Sequence, residues 1–208
     1  MFIERLSQNF GKDVPIFTEE IIKLFNDYSR AQVFRYIESA KEKKEIIQYS
    51  KGVYYIPHTT ILGTLSTISV DSIITKRYLS NQNKIYGIYS GIKLLNSFSL
   101  TTQMATVIEI VTNNETTRCR EIIINERKYI LRKSRCEINK KNYASYMIMQ
   151  FFNDIASNEK ISNTTKRHLL SFIKDQNVTS KELFDMALYF PAKATKSLIG
   201  SGIINATL

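Results

Sequence analysis

The chain has 208 residues, is 43% hydrophobic and 23% charged, and carries a formal net charge of +10, which describes a globular chain and excludes a disordered one. No run of about 18 apolar residues is present, which argues against a membrane span, and Glu4 and Arg5 interrupt the place where a secretion signal would need an apolar stretch. The two cysteines, Cys119 and Cys136, lack zinc-site spacing and only His58 and His168 could assist them, so neither a metal site nor any other cofactor is expected, and the thiols read as reduced in a cytoplasmic chain.

In chain order, Phe2, Ile3, Leu6 and Phe10 predict a short amphipathic helix over 2–10, stopped at Gly11. A second helix opens near Thr18, with Thr18 as its cap, Glu19 and Glu20 in the first turn, and Ile21, Ile22, Leu24 and Phe25 inward. Asn26-Asp27-Tyr28 reads as a tight polar turn, with Asn tolerating positive φ. Ser29 then caps a third helix, with Gln32 at capping-box spacing. Val33, Phe34, Ile37 and Ala40 form its inner stripe. Ile46–Tyr49 and Val53–Ile56 flank Ser50-Lys51-Gly52 as a hairpin with glycine at its tip. Helix, helix, turn, helix, hairpin is the order of a winged helix-turn-helix, assigned to residues 1–58.

Residues 59–208 form the second domain. His58–Ser69 is polar; Val70–Leu79 reads as helix, Lys84–Tyr89 as extended and Gly91–Phe98 as helix. Three β-rich runs follow at Thr106–Val111, Glu121–Asn125 and Tyr129–Leu131, with Asn113-Asn114 and Asn125-Glu126 in the turns. Helices are expected at Tyr143–Ile155, Thr164–Lys174, Lys181–Leu188 and Ala192–Leu198, with Thr179 and Glu182 as a capping box and Gly200 at a helix end. The fold class is α+β: a winged helix followed by a mixed domain with a small sheet and a helical C-terminal half.

A helix lying in the major groove offers side chains to base edges, while the wing and helix ends touch phosphate. Arg suits guanine and Gln suits adenine. The candidate DNA-binding residues are therefore Ser29, Arg30, Gln32, Arg35 and Tyr36, with Lys41, Lys44 and Lys51 for phosphates. Against this stands the charge distribution: residues 1–58 hold nine basic and eight acidic side chains. A winged helix used only for protein contacts is the alternative. Most of the positive charge lies later. Residues 118–141 hold nine basic side chains against three glutamates, which makes Arg118, Arg120, Arg127, Lys128, Arg132, Lys133 and Arg135 a possible second basic surface, for phosphate or for an acidic partner, or else a mixed solvated face.

Catalysis finds little support. His168 sits in a helix without a nucleophile elbow nearby. Glu126-Arg127-Lys128 has the E-x-K spacing of a metal-dependent nuclease, with Glu109 as the further acid, but the spacing is common in a chain this rich in Lys and Glu, and Glu126 falls in a turn. Tyr86–Gly91 is glycine-rich but lacks a phosphate-loop pattern; its glycines suit a strand turning tightly into the helix that follows.

The run YGIYSGIKLLNSFSLTTQ, with Tyr86, Gly87, Tyr89, Ser90, Gly91, Leu100, Thr101, Thr102 and Gln103, resembles the AbiEi family of antitoxins. KGVYYIP at Lys51–Pro57 and YFPAKATKSLI at Tyr189–Ile199 fit the same pattern. Phe98-Ser99 departs from it, where Leu-Gly is expected. The resemblance implies an N-terminal domain that represses its own operon at inverted repeats in double-stranded DNA. It also implies a C-terminal domain that antagonises a nucleotidyltransferase toxin, without requiring a stable complex, in abortive phage defence. A plain winged-helix regulator and a nuclease are the alternatives.

Overall fold

The computed structural model describes residues 2–155 and 161–204. The chain forms two compact units, 1–76 and 77–208, and the architecture is mixed α+β.

Unit 1 runs α1 (Phe2–Phe10), β1 (Ile16–Phe17), α2 (Thr18–Leu24), α3 (Arg30–Glu42), β2 (Ile47–Ser50), β3 (Val53–Tyr55) and α4 (Val70–Ile74), which continues as a π-helix over Thr75–Leu79. The three strands form an antiparallel sheet in the order β1-β3-β2, with Phe17 opposite Val53 and Ile47 opposite Tyr55. That is the winged-helix arrangement, and β1 is the strand the sequence pattern did not reveal. Two residues are too few to show alternation, and their pairing with β3 is what makes them a strand. Leu6, Ile16, Ile21, Val33 and Ile37 are wholly buried at the centre, each contributing roughly 1.5–3 kcal/mol through removal from water.

Four local expectations are corrected. Thr18 does not cap α2. Phe17 occupies the cap position, and the Glu20 carboxylate accepts its amide at 2.9 Å. The 26–28 turn needs no left-handed residue; the positive-φ positions in this unit include Asp13 and Lys44 instead. Ser29 does cap α3, accepting from the Gln32 amide, but Gln32 turns away to donate to the Tyr36 hydroxyl at 3.0 Å, so only half of the box forms. Phe34 leaves the inner stripe and is 37% exposed, while Val33, Ile37 and Ala40 are buried. It lies about 100° beyond Val33 around the helix, off the face that meets the core.

The polar stretch after Pro57 is not a linker. Asp13 binds both the Ser66 hydroxyl and the His58 ring, and the Tyr55 hydroxyl donates to the Ser66 carbonyl at 3.0 Å. Ile68 and Ile73 pack with Phe17, Val53 and Tyr55, and Lys76 reaches Glu20 at 2.8 Å. The compact units therefore part at 76/77 rather than at 58/59. Tertiary contacts, which polarity along the chain does not encode, draw residues 59–76 into unit 1.

Unit 2 contains β4 (Ser80–Asn81), β5 (Lys84–Ile85), β6 (Gly87–Ser90), α5 (Gly91–Ser97), β7 (Val107–Thr112), β8 (Cys119–Ile124) and β9 (Arg127–Lys133). Four helices follow: α6 (Tyr143–Asp154), α7 (Asn163–Asp175), α8 (Ser180–Ala187) and α9 (Ala192–Gly200). The main sheet has the order β6-β7-β9-β8. β6 and β7 are antiparallel, β7 and β9 parallel, and β8 and β9 form a hairpin. Helix α6 is central: Tyr146, Ile148, Met149, Phe151 and Phe152 are completely buried. The Thr179–Glu182 capping box forms in full. At the end of α9, Gly202 rather than Gly200 takes the left-handed conformation, at φ 73°.

Candidate nucleic-acid interface

The Ser29 cap fixes where α3 begins, and with it which side chains face out. Val33, Ile37 and Ala40 point into the core, so the opposite face carries Ala31, Arg35 and Glu38, flanked by Gln32 and Phe34. Arg30, Gln32 and Arg35 are all exposed. Among the described residues, no ion pair or hydrogen bond engages the side chains of Arg30, Arg35, Lys44 or Lys51. Arg35 is the cation closest to the centre of the outward face. Lys51 stands at the hairpin tip beside Gly52, whose φ of 76° makes the tight turn. Lys44 sits just beyond α3 with φ 56° and is exposed.

Two of the sequence candidates are otherwise occupied. Tyr36 is half-buried, packed on Phe2 at 5.6 Å and edge-on to Tyr28 at 5.5 Å between ring centroids. It supports the helix rather than standing free on it. Lys41 is held by Glu38 at 2.9 Å, so it must exchange that partner before meeting a phosphate. Sequence reasoning missed Ala31 and Phe34 as members of the outward face. Both are apolar, and apolar groups suit a thymine methyl. It also missed a second projecting tip, where Ile61 and Leu62 stand out beside Gly63, closed by a Thr59–Leu65 bridge. A side chain's outward direction shows in a sequence only through the periodicity of its neighbours, and Phe34 broke that signal by being apolar.

The basic segment of unit 2 is less free than its count suggests. Arg120 lies 2.9 Å from Glu115, a nearly buried carboxylate. Lys128 pairs with Glu121 at 2.7 Å and Arg132 with Glu109 at 2.9 Å. Arg127 donates to the Ala105 carbonyl, and Arg135 stacks over the Phe190 ring at 5.2 Å. Cross-strand pairing of opposite charges thus absorbs much of the positive charge. Arg118 and Lys133 remain exposed with no such partner among the described residues.

The nuclease constellation does not assemble. Glu109 pairs with Ile130 in the sheet register, four residues from Glu126, a separation of about 13 Å at strand rise. Glu126 lies in the β8–β9 turn at φ 63°, and Glu109 is taken by Arg132. Among the described residues no three His, Cys, Asp or Glu side chains cluster as metal ligands.

The Tyr86–Gln103 motif is structural in its first half. A Cβ on Gly87 would lie 2.0 Å from the Tyr78 carbonyl oxygen. Gly91 turns the chain from β6 into α5 at φ 59° and gives its amide to Asp154 at 2.8 Å. Tyr89 lies under Lys93, 3.6 Å from the ring centroid. Ser99 takes φ 56° just after α5, the conformation glycine accepts most easily. Leu100 packs against the core of unit 2. Thr101 accepts the Gln103 amide, and Thr102 and Gln103 are exposed.

Among the described residues, no helix is long and apolar enough to cross a membrane. No curated protein matches this sequence. Residues 3–181 match DUF6088, a family of unknown function. That span takes in nearly all of the winged helix, the main sheet and the helices through α7, so the chain belongs to the DUF6088 family.

Proposed function

We propose that this chain is a cytoplasmic DNA-binding autorepressor and antitoxin that acts by binding. Unit 1 reads an inverted-repeat operator of its own operon in double-stranded DNA, and unit 2 antagonises a nucleotidyltransferase toxin without a stable complex. The observation that carries the DNA half is the winged helix whose α3 holds Arg35 exposed on its outward face, without a partner among the described residues, with Lys51 at the wing tip. The antitoxin half is supported by the resemblance at Tyr86–Gln103 to AbiEi-type antitoxins.

The test of the DNA half is binding of the full chain to duplex DNA from its own promoter, against competitor DNA. Arg35→Ala weakens binding by about 1–3 kcal/mol and relaxes preference at one base pair. Unchanged affinity and preference would overturn the assignment of α3. The test of the antitoxin half is to look for a nucleotidyltransferase gene adjoining its own and to co-express the two. Restored growth is expected, and continued arrest with soluble protein present rejects that half alone.

A further inference from the structure

Between the main sheet and α6 lies a cavity of ≈ 350 Å3. Its position follows from the topology. β7 and β9 are parallel, and Glu109, Val111 and Arg132 share the face on which α6 packs. Tyr146, Gln150, Asn153 and Asp154 recur at helical spacing and form the opposite wall. Arg118 precedes β8, whose first residue Cys119 pairs with Arg132. That brings Arg118 beside Lys133 and Arg135 along one rim.

Rim and floor differ chemically. The rim has three exposed cations and no carboxylate paired with any of them among the described residues. Glu109, which also lines the cavity, is paired with Arg132. Three like charges at one concave surface repel one another, and an anion bound among them relieves that repulsion and gains charge-assisted hydrogen bonds. The floor is the reverse. Asp154 accepts from the Gly91 amide at 2.8 Å, Gln150 at 2.7 Å and Asn153 at 3.1 Å. These three bonds leave one carboxylate lone pair unused. Burial, reinforced by the charge of Glu109, pushes the Asp154 carboxyl above its ordinary range against those hydrogen bonds. A ligand that places a hydrogen-bond donor on this carboxylate offsets its burial.

We propose that this cavity binds a nucleotide, with its phosphates on Arg118, Lys133 and Arg135 and a sugar hydroxyl or base amino group on Asp154. The volume lies in the range of small-ligand sites, roughly 300–1,000 Å3, and the open rim lets a phosphate chain extend outward. A continuous DNA backbone fits less well, because it would bring phosphate toward Asp154 and has no donor to offer it. Gly91 acquires a purpose in this arrangement. Its Cβ-less backbone approaches Glu109, where a side-chain carbon would sit 2.8 Å from a carboxylate oxygen, and its amide orients Asp154. The site is independent of the operator contacts assigned to α3.

The test is calorimetric titration of the full chain with each of the four ribonucleoside 5′-triphosphates, with inorganic pyrophosphate as a phosphate-only probe and a short duplex DNA as a backbone probe. Saturable one-to-one binding of at least one triphosphate is expected, tighter than pyrophosphate. Arg118→Ala with Lys133→Ala together weaken it by about tenfold or more, the scale of one lost hydrogen bond to a charged group. Both residues are exposed, so the variant is expected to fold, and an unchanged circular dichroism melt checks this. Asp154→Asn changes the ranking of the four bases or the advantage over pyrophosphate. The proposal is overturned if no triphosphate binds, if the double variant binds as the parent does, if pyrophosphate binds equally well, or if only the duplex depends on Arg118 and Lys133.

Discussion

Residues 1–76 hold ten basic and nine acidic side chains, whereas residues 77–208 hold nineteen and ten. Yet among the described residues the nearly neutral unit leaves Arg30, Arg35, Lys44 and Lys51 unpaired at its surface, while the strongly basic unit ties Arg120, Lys128 and Arg132 to carboxylates. Net charge counts residues, and availability counts partners. In unit 1 the acids serve other groups: Glu20 serves Phe17 and Lys76, Asp13 serves His58 and Ser66, and Glu38, on the outward face of α3, takes Lys41. In unit 2 Glu121 and Glu109 stand diagonally across neighbouring strands from Lys128 and Arg132, and Glu115, in the β7–β8 loop, takes Arg120. A basic run in a sequence is therefore a poor guide to a free positive surface when it falls on paired strands.

The sharpest division between the units should come from Gly87→Ala. The added carbon meets backbone, the Tyr78 carbonyl at 2.0 Å, so relief requires moving the chain. A loss of roughly 4 kcal/mol or more is expected, read as collapse of hydrogen-exchange protection in β6, β7 and β9 with protection in α3 retained. Loss of protection in α3 as well would show that the two units unfold together.

A smaller effect separates the boundary at 76 from one at 58. Hydrogen bonds from Ser66, then from His58, hold the Asp13 carboxyl below its usual 3.8 despite partial burial. A depressed folded value means the carboxylate stabilises the fold above the unfolded value and loses that contribution as pH falls through the folded one. Asp13→Asn should cost about 1 kcal/mol at pH 7, and the gap to the parent should shrink once the pH is taken below 3.8. A gap independent of pH would show that the charge of Asp13 plays no part in holding residues 58–66.

Ser99→Gly probes the left-handed position that follows α5. Relieving a positive φ at a helix end should raise the stability of unit 2 by roughly 0.5–1 kcal/mol in a denaturant titration, and a decrease would mean the Ser99 side chain makes a compensating contact. The smallest expected effect is none. Each phosphate contact adds about 0.9 to the salt slope of duplex binding. With operator contact confined to unit 1, Arg118→Ala with Lys133→Ala should leave that slope unchanged, and a fall of about 2 would place both residues on DNA.

Much of this was legible beforehand. Every helix of five or more residues shows in the spacing of apolar side chains or in a cap such as Ser29 or Thr179. The hairpin shows in Gly52. What the sequence concealed has a common origin in contacts between distant residues. The two-residue β1 exists only by pairing with β3, and Asp13 binds residues 45 and 53 positions away. Phe34 is apolar yet turned outward, which no periodicity rule anticipates for a single residue. On α3 the residue types were readable, but their availability was not: Tyr36 and Lys41 are already engaged. The cavity in unit 2 draws Arg118, Arg132 and Asp154 from distant parts of the chain, and the β8–β9 register and the packing of α6 bring them to one place.

The strand order also dictates an order of events. β9 lies between β7 and β8, although the chain makes β8 first. β8 therefore cannot join β7 directly and must wait for β9 to fill the space. The local step is the β8–β9 hairpin, closed by Asn125 and Glu126, both at positive φ. The costly step is bringing that preformed hairpin alongside β7, because the loop between them has to be closed before any parallel hydrogen bond is gained. A nascent unit 2 thus holds a two-stranded ribbon with an unpaired β9 edge until docking occurs, and the exposed charges along that ribbon (Arg127, Lys128, Arg132 and Lys133) discourage it from pairing with another chain in the interval.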